Sequence, residues 1–147
     1  MSTTERVVWG THPAPRRHLR RALVGFATLV LASYALVALL TRPPLAVLGP
    51  RVAEALFGLV TFYGPVLAAV LGTLRGGGLL AAVAVGIVPA VAFLAVATAL
   101  SLLVGPTGDA PAWALALVFA GTGGLGGIAG YLVVVGGRLA LRRYRAG

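Results

Sequence analysis

The stretch LLAAVAVGIVPAVAFLAVATALSLLV, residues 79–104, decides the fold. Its 26 residues include no charged side chain. About 18 or more consecutive apolar residues are enough to cross the ~30 Å hydrocarbon core of a bilayer as a helix. A core helix of a soluble protein usually shows a polar face at the 3.6-residue period, and this stretch shows none. We therefore predict a membrane-spanning helix over residues 79–104.

Three other apolar stretches of similar length flank this one. Residues 22–40 and 112–137 contain no charge, and residues 52–74 contain only Glu54. Charged residues make up 10% of the chain, against about 25% in a typical soluble domain. Because backbone groups must bond to one another inside hydrocarbon, helices are the expected structure. The sequence therefore predicts an all-α integral membrane protein with four transmembrane helices.

Proline and glycine separate the four spans. The separating segments are TRPPLAVLGPR at 41–51, RGGG at 75–78 and GPTGDAP at 105–111. These residue types end a helix and allow the chain to reverse. Short connections place sequential helices side by side in opposite directions, so we expect an antiparallel four-helix bundle.

The spans divide the chain into a membrane domain and two tails. We expect an extended or disordered basic tail over residues 1–15, the membrane domain over 16–137 and a basic tail over 138–147. The apolar stretch at 22–40 is longer than that of a signal peptide and lacks a small-x-small cleavage site. We therefore expect it to remain in the protein as a span.

Arginine is distributed unequally between the two sides of this bundle. Ten of the twelve basic residues, all arginine, lie in the N-terminal tail, the RGGG loop and the C-terminal tail, which four spans place on one side. The other side has Arg42 and Arg51, balanced by Glu54 and Asp109. Since basic residues collect on the cytoplasmic side, we predict cytoplasmic termini in a plasma-membrane protein.

The arginines beside the spans are candidates for contact with anionic lipid headgroups of the cytoplasmic leaflet. Each arginine near an anionic surface contributes about 1 kcal/mol. A basic flank beside a span needs no nucleic-acid partner, and we expect none. The candidate headgroup residues are Arg16, Arg17, Arg20, Arg21, Arg142 and Arg143.

The stretch GTGGLGGIAG, residues 121–130, begins with the G-x-G-x-x-G pattern of dinucleotide-binding loops. That fingerprint requires a preceding strand, a following helix and an acidic residue about 20 positions further on. Here the glycines lie inside an apolar span, and no acidic residue follows Gly126. We therefore expect no nucleotide partner.

Close helix packing explains the same glycines better. Gly123 and Gly127 are four residues apart, as are Gly126 and Gly130. Small residues at this spacing let a neighbouring backbone approach closely in lipid. The neighbour is a helix of the same chain or a second subunit. An unwound segment at a substrate site, as in broken-helix transporters, is the third interpretation.

Pro65 and Pro89 fall near the midplane of their spans, with Tyr63 close to Pro65. Each proline removes one helix hydrogen bond. The kinks either fit the helices to the bundle or form a midplane cavity.

Glu54, in the first turn of the second span, either pairs with Arg51 and the helix N-terminus or handles ions or protons.

Residues for catalysis or for holding a cofactor are scarce. The chain has no cysteine, both histidines lie in the N-terminal tail, and no base neighbours Ser33 or Ser101. We therefore expect no enzyme activity, no metal and no cofactor.

The chain fits a small prokaryotic accessory or self-associating membrane subunit, whose partner is itself or another membrane protein. The alternative is a small oligomeric transporter or channel with a midplane site near Pro65, Pro89 and Tyr63.

Overall fold

A computed structural model of the chain describes residues 3–10, 15–41, 49–105 and 110–146. The described part is helical and has no β-strand; Gly10 and Gly77 form an isolated bridge. The helices are α1 (Thr3–Trp9), α2 (Pro15–Leu40), α3 (Gly49–Gly58), a π-helical segment (Leu59–Tyr63), α4 (Gly64–Leu74), α5 (Leu79–Val104) and α6 (Ala112–Ala146).

Within the described residues, four helical segments are long and apolar enough to cross a membrane, which confirms the prediction of four such helices. These segments are Arg20–Leu40, Gly49–Leu74, Leu79–Val104 and Ala112–Ala146. Large apolar side chains point outward from them, and Leu102 is 83% exposed. Such surfaces suit a lipid environment, where outward apolar groups carry no hydration cost.

Helices α2, α3 and α6 extend beyond the predicted spans. Pro15 opens α2, and Pro50 is the second residue of α3. Proline is well placed in a first helical turn, because the missing N–H would have no intrahelical acceptor there. At the other end of the chain, α6 continues to Ala146, so the C-terminal segment extends the last span as helix.

The N-terminal tail also differs from its expected extended or disordered state, because Thr3–Trp9 forms α1. A helix of seven residues is marginal on its own, so contacts must hold it. Gly10 pairs with Gly77 in the turn before α5. The Tyr131 hydroxyl donates a long hydrogen bond, 3.4 Å, to the carbonyl oxygen of Val7.

Helix α5 occupies the centre of the fold. It contacts α1, α2, α4 and α6. The largest fully buried side chains are Val30, Thr61, Pro65 and Pro89. Because these side chains are small or compact, the helices can approach one another closely in the interior.

Candidate functional site

Two helix backbones approach each other closely where α5 crosses α6. A Cβ atom built on Gly123 would overlap the carbonyl oxygen of Gly86, and a Cβ on Gly86 would overlap that of Gly123. One turn along α6, a Cβ on Gly127 would overlap the carbonyl oxygen of Ala82. Glycine is therefore required here for space, since the two backbones touch directly.

A second glycine contact joins α6 to α4. A Cβ on Gly130 would lie 2.8 Å from the carbonyl oxygen of Val66 and 3.1 Å from the Cβ of Ala69. A Cβ on Gly126 would lie 3.1 Å from the Cγ2 of Val66. The structure thus places all four sequence-predicted packing glycines against neighbouring helices of the same chain.

Other glycines of the same stretch face away from the bundle. A Cβ on Gly121 or Gly124 would meet nothing within 4 Å. The residues of the G-x-G-x-x-G pattern therefore lie on different faces of one continuous helix. No strand in the described part of the chain precedes them, so the strand-to-helix setting of a dinucleotide site is missing there.

A buried pair of hydroxyl groups lies where α2 meets the π-helical segment. The Tyr34 hydroxyl and Thr61 Oγ1 are 2.8 Å apart, and the two residues are 4% and 0% exposed. One hydroxyl donates to the other, so both buried oxygens take part in a hydrogen bond. Sequence reasoning missed Tyr34, whose only signal is a hydroxyl-bearing ring within an apolar span.

The π-helical segment ends at Tyr63, two residues before Pro65. Its defining bond runs from the Gly64 N–H to the carbonyl oxygen of Leu59. Pro65 has no N–H to donate to the carbonyl four residues earlier, which is that of Thr61. The wider turn therefore forms where the regular ladder is already interrupted, and π-bulges of this kind often mark functional sites.

Aromatic rings surround the buried pair. The Tyr34 and Phe57 rings stack with centroids 5.3 Å apart, and the Phe93 and Phe119 rings meet edge to face at 5.0 Å. Phe57 also contacts Phe119 at 5.6 Å. These contacts connect α2, α3, α5 and α6 by favourable ring geometry.

The three residues of the alternative midplane site do not converge on a cavity. Pro65 and Pro89 are fully buried in the packed interior, whereas Tyr63 is 65% exposed. Successive helical residues are about 100° apart, so Tyr63 points away from Thr61, two positions earlier. Two cavities in the described part, of about 710 and 250 Å³, are lined by none of the three residues.

Glu54 is exposed on α3, which begins at Gly49. It therefore lies in the second helical turn, which corrects the expected position in the first turn. Arg51 is also exposed, and within the described residues no ion pair joins the two side chains. Asp109 and Arg42, counted for the same side of the bundle, lie outside the described residues.

Four of the candidate headgroup arginines have described side chains, and all four are exposed. They are Arg20, Arg21, Arg142 and Arg143. Arg16 and Arg17 belong to α2 but fall outside the described side chains. Arg138, which was not a candidate, donates through Nη2 to the carbonyl oxygen of Leu74 at 2.9 Å. That bond satisfies a free carbonyl at the C-terminus of α4.

Two cavities open beside the helices. One, of about 710 Å³, lies between α2, α4 and α5, and α1 borders it. The other, of about 250 Å³, lies beside Tyr34, Phe57 and Phe93. Across the residues described, no group of three potential metal ligands occurs.

Comparison with known proteins gives no relative from which to assign a family: no protein family, curated protein or solved structure matches this chain.

Proposed function

We propose that the chain is a small multi-pass protein of the plasma membrane that acts through helix packing, as an accessory or self-associating subunit, and not through catalysis. The observation that supports this proposal is the direct backbone contact of Gly86 with Gly123. The helices meet there without any polar group that a reaction would use. The one buried side-chain hydrogen bond between helices in the described part joins two hydroxyl groups to each other.

The contacts between α5 and α6 support an antiparallel bundle. Gly123 lies against Gly86, and Gly127, four residues later, lies against Ala82, four residues earlier. The residue numbers of successive contacts rise along α6 and fall along α5, which is the pattern of two antiparallel helices. The short turn at 75–78 relates α4 to α5 in the same way.

The arginines near one end of the bundle support cytoplasmic termini. Arg21 and Arg75 line the same cavity, and Arg138 bonds to Leu74 beside that turn. Helix α1 contacts this end through the Gly10–Gly77 bridge. The N-terminal segment, the turn and the C-terminal helix therefore form one basic end, as the positive-inside rule requires of a cytoplasmic face.

In-membrane cross-linking followed by affinity purification from the native host tests the proposed role. We expect either a defined homo-oligomer or a stoichiometric membrane partner. Gly124→Leu on α6 and Gly25→Leu on α2 each add bulk where a Cβ meets nothing within the chain. Loss of the complex in one variant, with thermal stability unchanged, would identify the contacting face. A chain that stays monomeric and unaccompanied under all these conditions would contradict the proposal.

A small oligomeric transporter or channel is the second candidate, and the π-helical segment with its buried Tyr34–Thr61 pair favours it. Tyr63 is exposed in a single chain, so a site that includes it would need a second subunit to enclose it. Flux of protons, Na⁺, K⁺ and Cl⁻ into proteoliposomes tests this candidate. A flux that is abolished in a folded Thr61→Val variant would support the transporter or channel candidate. The absence of flux would exclude this candidate.

A further inference from the structure

The larger of the two cavities described above is a lateral groove at the basic end of the bundle. It has a volume of about 710 Å³, within the ~300–1,000 Å³ range of small-molecule sites. Helix α2 forms one wall, α4 and α5 form the other, and Trp9 of α1 borders it. Because the groove lies between spanning helices, a molecule that enters it can remain partly in the bilayer.

Two guanidinium groups belong to this groove. Arg21 on α2 and Arg75 in the turn after α4 both line it. Both side chains are exposed, and neither forms an ion pair within the described residues. Two cations of this kind favour a phosphate, because guanidinium groups match phosphate oxygens in charge and geometry.

Apolar and very small residues form most of the remaining lining, which also includes Thr73. Phe26 contributes an aromatic surface, and Gly72 and Ala81 leave open space between α4 and α5. A Cβ built on Gly72 would meet nothing within 4 Å, so the missing side chain widens the groove. These apolar walls are complementary to a hydrocarbon chain, whereas a free inorganic anion would make no favourable contact with them.

We propose that this groove binds one anionic phospholipid, whose phosphate contacts Arg21 and Arg75 while an acyl chain lies against Phe26, Gly72 and Ala81. The positive charges of Arg21 and Arg75 complement a phosphate, and the apolar walls complement an acyl chain. Together they select a lipid over a soluble phosphate. The site rests on the membrane location of the chain alone. It does not depend on whether the protein self-associates.

Native mass spectrometry of the purified protein tests this site. The protein is titrated with phosphatidylglycerol and, separately, with phosphatidylcholine of the same acyl chains. We expect a one-to-one complex with phosphatidylglycerol at lower concentration than with phosphatidylcholine. Arg21→Gln and Arg75→Gln should each weaken phosphatidylglycerol binding about fivefold, which corresponds to ~1 kcal/mol per arginine. Arg145→Gln, near the exposed end of α6, is the matched charge control and should leave binding unchanged.

A second pair of variants tests the chain-binding wall without altering charge. Gly72→Leu fills the groove and should weaken binding of both lipids, whereas Gly136→Leu adds the same bulk at an open position outside it. Thermal unfolding of each variant establishes that the fold is retained. Equal binding of both lipids, equal loss in Arg145→Gln and Arg75→Gln, or undiminished binding in Gly72→Leu would each overturn the proposal. So would equal affinity for glycerol phosphate, which has the phosphate but no acyl chain.

Discussion

Gly86 of α5 and Gly123 of α6 face each other so closely that a methyl group on either would overlap the carbonyl oxygen of the other. This reciprocity means that neither residue can be enlarged without moving a backbone. In lipid, close approach is the main source of helix association, because apolar side chains gain nothing by leaving an apolar solvent. We therefore expect this contact to be sensitive to added volume.

We expect Gly123→Ala to lower the thermal stability of the detergent-solubilised protein. One added methyl forces α5 and α6 apart, and overpacking of this kind costs about 1–3 kcal/mol. The sequence alone does not predict this loss of stability, because one added methyl group is harmless on a helix face that has no close neighbour. Thermal unfolding followed by circular dichroism measures the effect.

Gly124→Ala is the matched control for this variant. It makes the same chemical change one residue away, where a Cβ meets nothing within 4 Å. Its melting temperature should stay unchanged or rise slightly, because alanine favours a helix by up to ~1 kcal/mol over glycine. Equal melting temperatures for the two variants would contradict the packing role of Gly123.

The sequence predicted the four membrane helices because the bilayer imposes a length and a polarity that composition reveals directly. The four-residue spacing singled out Gly123, Gly126, Gly127 and Gly130 for packing, but it did not identify the neighbouring helix that each of them faces. Gly123 and Gly124 are adjacent and chemically identical, yet an added Cβ would collide with α5 only on Gly123. That difference depends on the rotation of the whole helix, which its neighbours set.

Local sequence was also insufficient for α1 and for the buried hydroxyl pair. Helix α1 is short and depends on contacts with Gly77 and Tyr131, which are distant in sequence. The Tyr34–Thr61 bond joins residues 27 positions apart. Tyr63 is the nearer tyrosine along the chain, but the helical rotation between it and Thr61 turns it outward.

We predict that single cysteines at positions 75 and 145 react with a membrane-impermeant maleimide only from the cytoplasmic side. The concentration of arginine at that end is the physical reason. A cysteine at position 109 should react from outside in intact cells. The chain has no native cysteine, so the unmodified protein is the background control. Labelling of position 109 only after the cells are opened would contradict the predicted orientation.

Glu54→Gln should change the free energy of unfolding by no more than about 0.5 kcal/mol, the usual range for exposed positions. Glu54 is exposed, and no ion pair joins it to Arg51 within the described residues. Chemical denaturation in detergent measures the change. If proteoliposomes show an ion flux, Glu54→Gln should preserve it. Complete loss of flux in a folded variant would instead assign the carboxylate to transport.

Added NAD or ATP should not raise the melting temperature of the protein. Gly121 and Gly124 lie on an open helix face, and no strand in the described part leads into them. A ligand present at 100 times its dissociation constant would stabilise a folded protein by about 2.7 kcal/mol, which a thermal-shift assay detects. A saturable rise with either nucleotide, lost in Gly123→Leu, would restore the dinucleotide interpretation.

The Tyr34–Thr61 hydrogen bond should appear as a coupling energy in a double-mutant cycle. Tyr34→Phe and Thr61→Val each remove one hydroxyl with little change of shape, and each leaves the other hydroxyl buried without its partner. Side-chain hydrogen bonds within membrane proteins average about 0.6 kcal/mol and reach about 1.7 kcal/mol. Denaturation of the two single variants and the double variant gives the coupling. We expect a value near the upper end, because both groups are buried. Strictly additive single effects would show that the two hydroxyls do not stabilise the contact between α2 and the π-helical segment.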